Sequence, residues 1–169
     1  MTIFQWKKKM IEINITEEII ERASKRADAQ RLNTYSFTTN GKLYGILAEE
    51  LFLSKYGGEL KNTKHYDILL DDIKIDVKAK SCKGAPLDNY TASVSDYQRK
   101  HGSEFYAFYR IRTDLKVAWE LGGTCKESFF SRATYVPAGT RDGPFLCKVD
   151  MWSLPIDELS PLTYLFKEI

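Results

Sequence analysis

The run IDVKAK, residues 75–80, lies inside DDIKIDVKAKSCK, residues 71–83, which alternates apolar and charged residues from Asp72 to Lys80. Side chains of a strand point alternately to its two faces. Ile73, Ile75, Val77 and Ala79 therefore share an apolar face, and Asp72, Lys74, Asp76, Lys78 and Lys80 share a charged one. Asp76 and Lys78 leave the backbone roughly 6.6 Å apart, a span that one phosphate and one cation can bridge. The preceding run HYDILL, residues 65–70, reads as a second strand, and Asp71-Asp72 between them reads as a tight antiparallel turn. Taken alone, the charged face is a solvated one with cross-strand ion pairs. Asp67 changes that reading, because a carboxylate inside an otherwise apolar strand is costly unless it is paired or holds a cation.

The chain of 169 residues, 43% of them hydrophobic and 13% aromatic, has material for a core and the length of one domain, residues 1–169. No repeat, low-complexity tract or long Pro/Gly linker divides it. With 25 basic and 23 acidic residues, the overall charge says little about partners. The distribution says more. Between positions 74 and 100, Lys74, Lys78, Lys80, Lys83, Arg99 and Lys100 face only Asp76, Asp88 and Asp96. Three cysteines without a C-x-x-C pair argue against a disulfide framework and a zinc ribbon. The basic cluster Lys7–Lys9 is followed by no apolar signal core, and no run reaches the roughly 18 apolar residues of a membrane span. A cytoplasmic protein without membrane contact is the expectation.

Around the hairpin, TEEIIERASKRADAQRL (16–32) predicts a surface helix capped by Thr16, with an apolar stripe of Ile20, Ala23 and Ala27. GKLYGILAEELFLSKYGG (41–58) predicts a helix that is apolar nearly all round and stops at Gly57-Gly58. SVSDYQRKHG (93–102) reads as a short helix capped by Ser93 or Ser95, and EFYAFYRIR and KVAWELG as strands. In the tail, PAGTRDGP is a loop, FLCKVDMW a strand, and LPIDELSPLTYLF a final helix interrupted by Pro161. The order fits a mixed sheet with helices on its faces.

The second helix carries Glu49 and Glu50. Helical side chains lean toward the preceding turn, so Glu49 lies over Gly45, where no side chain covers the surface and a neighbouring backbone or ligand is expected to approach. Together Glu49, Asp67, Asp76 and Lys78 place one acid from a helix, one from a strand, and an acid and a lysine from the paired strand. Mg²⁺ takes one or two carboxylates and keeps waters and phosphate oxygens, for which Asp67 and Asp76 suit the direct ligands and Glu49 an assisting one. Lys78 adds positive charge where negative charge builds on a phosphate.

With those residues on the page, the sequence resembles the PD-(D/E)XK, or restriction-endonuclease-like, nucleases. The resemblance rests on GILAE at 45–49, the Asp67 strand, DVK at 76–78 and Gln98, and it spans about residues 40–125. The family's proline is Tyr66 here, so its "PD" is only "YD". The resemblance implies an α/β fold with a restriction-endonuclease-like mixed central β-sheet flanked by α-helices. It further implies Mg²⁺ or Mn²⁺ on Glu49, Asp67 and Asp76, catalysis by these with Lys78, and hydrolysis of phosphodiester bonds in nucleic acid, DNA in the first place. Lys80, Lys83, Gln98, Arg99 and Lys100 are the expected substrate contacts, and a homodimer would suit the cutting of both strands. The rival expectation is a non-catalytic nuclease-fold module that binds DNA or a protein partner.

Overall fold

The computed structural model describes residues 10–31, 39–61, 63–142 and 145–169. Lys7–Lys9, Leu32 and the Gly143-Pro144 pair of the tail loop lie outside them. In chain order the elements are β1 (Ile11–Asn14), α1 (Glu17–Arg31), α2 (Thr39–Tyr56), β2 (Glu59–Leu60), β3 (Ile68–Leu70), β4 (Ile73–Cys82) and β5 (Thr91–Ser95). A 3₁₀ turn, Asp96–Lys100, leads to β6 (Phe105–Arg112), β7 (Val117–Cys125), α3 (Lys126–Arg132) and β8 (Thr134–Val136). The tail holds β9 (Arg141–Asp142), β10 (Phe145–Leu146), β11 (Met151–Pro155), a 3₁₀ turn Ile156–Glu158 and the single-turn α4 (Leu162–Leu165).

The central sheet runs β1-β7-β6-β4-β3-β2. Its β4–β6 pair is parallel and its other pairs are antiparallel, so the fold is mixed α/β around a mixed sheet. The β3–β4 hairpin forms, but its first strand is only Ile68–Leu70, so His65, Tyr66 and Asp67 of the expected strand precede it. Asp71 (φ 48) and Asp72 (φ 64) both take the left-handed conformation that a two-residue turn matching the strand twist requires. Aspartate tolerates it through its short polar side chain.

On one face of the sheet, α1, α2 and α4 cover Ile75, Val77, Phe105, Ala107 and Tyr109. Thr16 Oγ1 accepts the Ile19 N–H at 3.3 Å and starts α1, and Glu18–Arg22 and Glu21–Lys25 pair along it. α2 is buried on consecutive residues from Ile46 to Phe52, and ends where Gly57 (φ 77) turns back with its N–H on the Leu53 carbonyl.

The opposite face departs from expectation. It is covered by a second, three-stranded sheet, β5-β11-β8, and by α3, which pack on Tyr106, Phe108, Trp119 and Leu121. The predicted helix over 93–102 is therefore strand β5, with Ser93 inside it, followed by a 3₁₀ turn at whose start Ser95 makes no side-chain cap. FLCKVDMW splits into β10 and β11, and the final helix shrinks to a 3₁₀ turn and α4. Among the described residues no helix is long and apolar enough to cross a membrane.

Two glycines test this packing in opposite directions. A Cβ on Gly123 would sit 2.5 Å from the Tyr106 carbonyl oxygen and 2.6 Å from the Phe105 ring, so Gly123→Ala should destabilise by about 2–3 kcal/mol. A Cβ on Gly45 in α2 meets nothing within 4 Å, so Gly45→Ala should stabilise by about 1 kcal/mol. Urea unfolding of the two variants measures both, and destabilisation at position 45 would contradict the packing described.

Candidate active site

The β3–β4 register begins at Ile68 and Ile75, and Asp67 lies one residue before β3. Its carboxyl comes within electrostatic reach of Asp76. The Asp67 N–H donates to the Ile75 carbonyl at 2.9 Å, and Asp67 Oδ2 accepts the Val77 N–H at 2.8 Å. β4 is an inner strand, and Asp76 is only 6% exposed. The charged face of the sequence pattern is thus partly enclosed at this end of the sheet rather than solvated.

Lys78, two residues along on the same face, holds Asp76 Oδ2 at 2.8 Å, with 20% of the lysine side chain exposed. Burial pushes the Asp67 carboxyl up to about 8, reinforced by the charges of Glu49 and Asp76 and opposed by the Val77 N–H. Glu49 is also raised, first by burial, with Asp76 and Glu50 adding to it and Arg26 working against it.

The helix acids divide their tasks. Glu50 turns to α1, where Arg26 Nη1 donates to it at 2.8 Å and Arg22 Nε at 3.1 Å. Glu49 is held by Arg26 Nη2 while its charge is felt by Asp67. Of the two helix acids, Glu49 is the one whose charge reaches Asp67. The Gly45 expectation needs correction, because no neighbouring backbone closes on that position and the space beside it is open.

Several neighbours carry no motif in the sequence. Tyr106 lies beside Asp76 on β6, and burial, with Asp76 adding to it, lifts its phenol to about 12. Ser103 comes close enough to ease that ionisation, yet neither hydroxyl closes a well-formed hydrogen bond among the described residues. His101 is buried, and its imidazole is held below its ordinary value by burial first and by His65 next, against the opposing charge of Asp76. The rings of His65 and His101 meet edge to face at 5.1 Å. Lys126 Nζ donates to the His101 carbonyl, and its ammonium also feels Asp76.

The expected substrate contacts are scattered. Lys80 is half-buried, donating to Ser93 Oγ at 3.0 Å with its ammonium 5.0 Å from the Phe145 ring centre. Lys83 is exposed past the far end of β4, roughly 20 Å from Asp76 along the chain. Gln98 is half-buried and its carbonyl accepts the His101 N–H, whereas Arg99 and Lys100 are exposed on the same 3₁₀ turn.

Among the described residues, no three His, Cys, Asp or Glu side chains converge as a ready-made metal cage. The donor chemistry nevertheless fits Mg²⁺ or Mn²⁺, which require only one or two carboxylates and complete their shell with water and phosphate oxygens. Asp67 and Asp76 stand side by side with a third acid in electrostatic reach, and burial holds the Asp67 and Glu49 carboxyls above their ordinary range. The chain matches no protein-family model, and no curated protein is similar enough in sequence to count as a relative.

A raised carboxyl sets the sign of a pH effect. The contribution of Asp67 to stability is full below the unfolded-state value of about 3.9 and is lost as the pH climbs toward about 8. In EDTA, the melting temperature of the wild type should therefore fall between pH 6.5 and 8.5 more steeply than that of Asp67→Asn, which lacks this titration. Parallel profiles by differential scanning fluorimetry would refute the buried acid.

Proposed function

We propose that this protein is a divalent-metal-dependent nuclease of the restriction-endonuclease-like kind, cutting phosphodiester bonds in DNA. The observation that carries the reading is the neighbouring pair Asp67 and Asp76, with Lys78 fixed on Asp76 and Glu49 in electrostatic reach. Glu49 lies on α2, Asp67 one residue before β3, and Asp76 and Lys78 on β4, which supports the reading.

Asp67 and Asp76 would hold the cation, with Glu49 assisting once it is released from Arg26. The bound ion supplies a counter-charge for phosphate oxygens and a more acidic water. The residues of the chain do the rest. Lys78, anchored by its 2.8 Å ion pair, holds a positive charge beside the phosphate and offsets the negative charge that grows as the bond to the leaving oxygen breaks. The Val77 N–H fixes the Asp67 carboxyl in the plane of the hairpin. The enclosing strands and His101 limit water around Asp76, which strengthens each of these interactions.

One observation favours the alternative of a non-catalytic binding module. Arg26 already neutralises Glu49 and Glu50, so the helix acid has an internal counter-ion.

Labelled duplex, single-strand, flap and four-way-junction DNA decides between the two. Wild type should cut at least one of them in Mg²⁺ or Mn²⁺ and none in EDTA. Asp76→Ala should abolish cutting, and Lys78→Ala should slow it by about 10²–10³-fold, both with an unchanged circular dichroism spectrum. No cutting by the wild type would overturn the proposal, and DNA binding without metal would then select the binding module.

A further inference from the structure

A groove of about 650 Å³ opens among Ser103 and Glu104 before β6, the start of α3 and Arg99 of the 3₁₀ turn Asp96–Lys100, and the Lys126 ammonium in its lining feels the charge of Asp76. Its volume falls in the range of roughly 300–1,000 Å³ that takes small ligands or one residue of a polymer. Its chemistry is that of a nucleotide seat.

Lys126 is half-buried, with its backbone N–H on the Glu104 carbonyl at 2.9 Å and its ammonium on the His101 carbonyl. Among the described residues the ammonium forms no ion pair, so two of its three N–H donors have no protein partner. Lys78, by contrast, is already engaged with Asp76. Arg99 lies over Phe130 and Trp152, with its guanidinium carbon 5.2 and 5.1 Å from their ring centres, and its guanidinium likewise makes no hydrogen bond or ion pair among the described residues. A cationic plane backed by aromatic rings is a stacking surface for a base as well as a phosphate donor. Of the two acids in the lining, Glu104 turns an oxygen to the Lys74 N–H at 3.0 Å, and Glu127 is exposed.

We infer that this groove seats an unpaired nucleotide next to the scissile phosphate, with Lys126 holding its phosphate and Arg99 its base. The substrate is accordingly DNA with a single-stranded segment at the cut, since a base stacked inside a duplex cannot enter a groove of this size. The inference rests on the nuclease reading for the word scissile, but its binding part is independent of cleavage.

Fluorescence anisotropy in EDTA, with a labelled single strand, a blunt duplex and a tailed duplex, tests it. Wild type should bind the single strand and the tailed duplex more tightly than the blunt duplex. Lys126→Ala should weaken single-strand binding about tenfold and reduce the slope of log K against log salt by about 0.7, and Lys126→Arg should restore both. Arg99→Gln, on an exposed side chain, should weaken single strands more than blunt duplex. Equal affinity for blunt duplex and single strand, or Lys126→Ala binding like wild type, overturns the inference. A wild type that shows this preference and never cuts refutes the nuclease reading alone. One that cuts blunt duplex best, in a manner dependent on Asp76, refutes the groove alone.

Discussion

A two-residue turn at Asp71-Asp72 sets the register of the β3–β4 hairpin, and the hairpin brings Asp67, one residue before β3, to the side of Asp76. A slip of one residue would send every β3 side chain to the other face and exchange Asp67 with the apolar Ile68. The apolar face pins the register from the other side, because Ile68, Ile75 and Val77 are buried in the core under α2. The same burial that makes the hairpin rigid makes its carboxyls expensive to ionise. Fold and site therefore share one constraint.

Two basic residues keep that acidic group inside the fold. Lys78 neutralises Asp76 from within the strand, and Arg26 reaches from α1 to Glu49 and Glu50 at once. The link from α1 to α2 is thus also a link to the hairpin. Asp67 accepts a backbone N–H and has no cation beside it among the described residues, and burial, with the charges of Glu49 and Asp76, pushes its carboxyl far above the ordinary range. It is the natural place for an added positive charge.

Much of this was legible in the sequence where local rules decide the outcome. Thr16, the Glu–Arg and Glu–Lys spacings of α1, Gly57-Gly58 after α2 and the strand character of β4 act within one or two turns, and each appears in the structure, although Ile73 of the apolar face of β4 is exposed and Asp76 of its charged face is buried. What stayed hidden depends on distant partners. Thr91–Ser95 is a strand because it pairs with Met151–Pro155, about sixty residues away, and its serines suggested a helix cap instead. β1 pairs with β7 across the whole chain, and β8 exists only beside β11. Lys126 and His101 join the site through the folding of β6 and β7, so no spacing in the sequence announces them. Lys80 reads as a surface cation and is drawn inward to Ser93 by the second sheet that the pattern did not reveal.

The account depends on Asp67 and Asp76 acting together as a seat for a divalent cation. The most direct test is calorimetric titration of Mn²⁺ into the wild type, Asp67→Asn and Asp76→Asn, with Glu104→Gln as a control outside the pair. The account predicts saturable binding by the wild type and the control, weakened at least tenfold in each of the two Asn variants. A wild type that binds no Mn²⁺, or Asn variants that bind it as the wild type does, would contradict it.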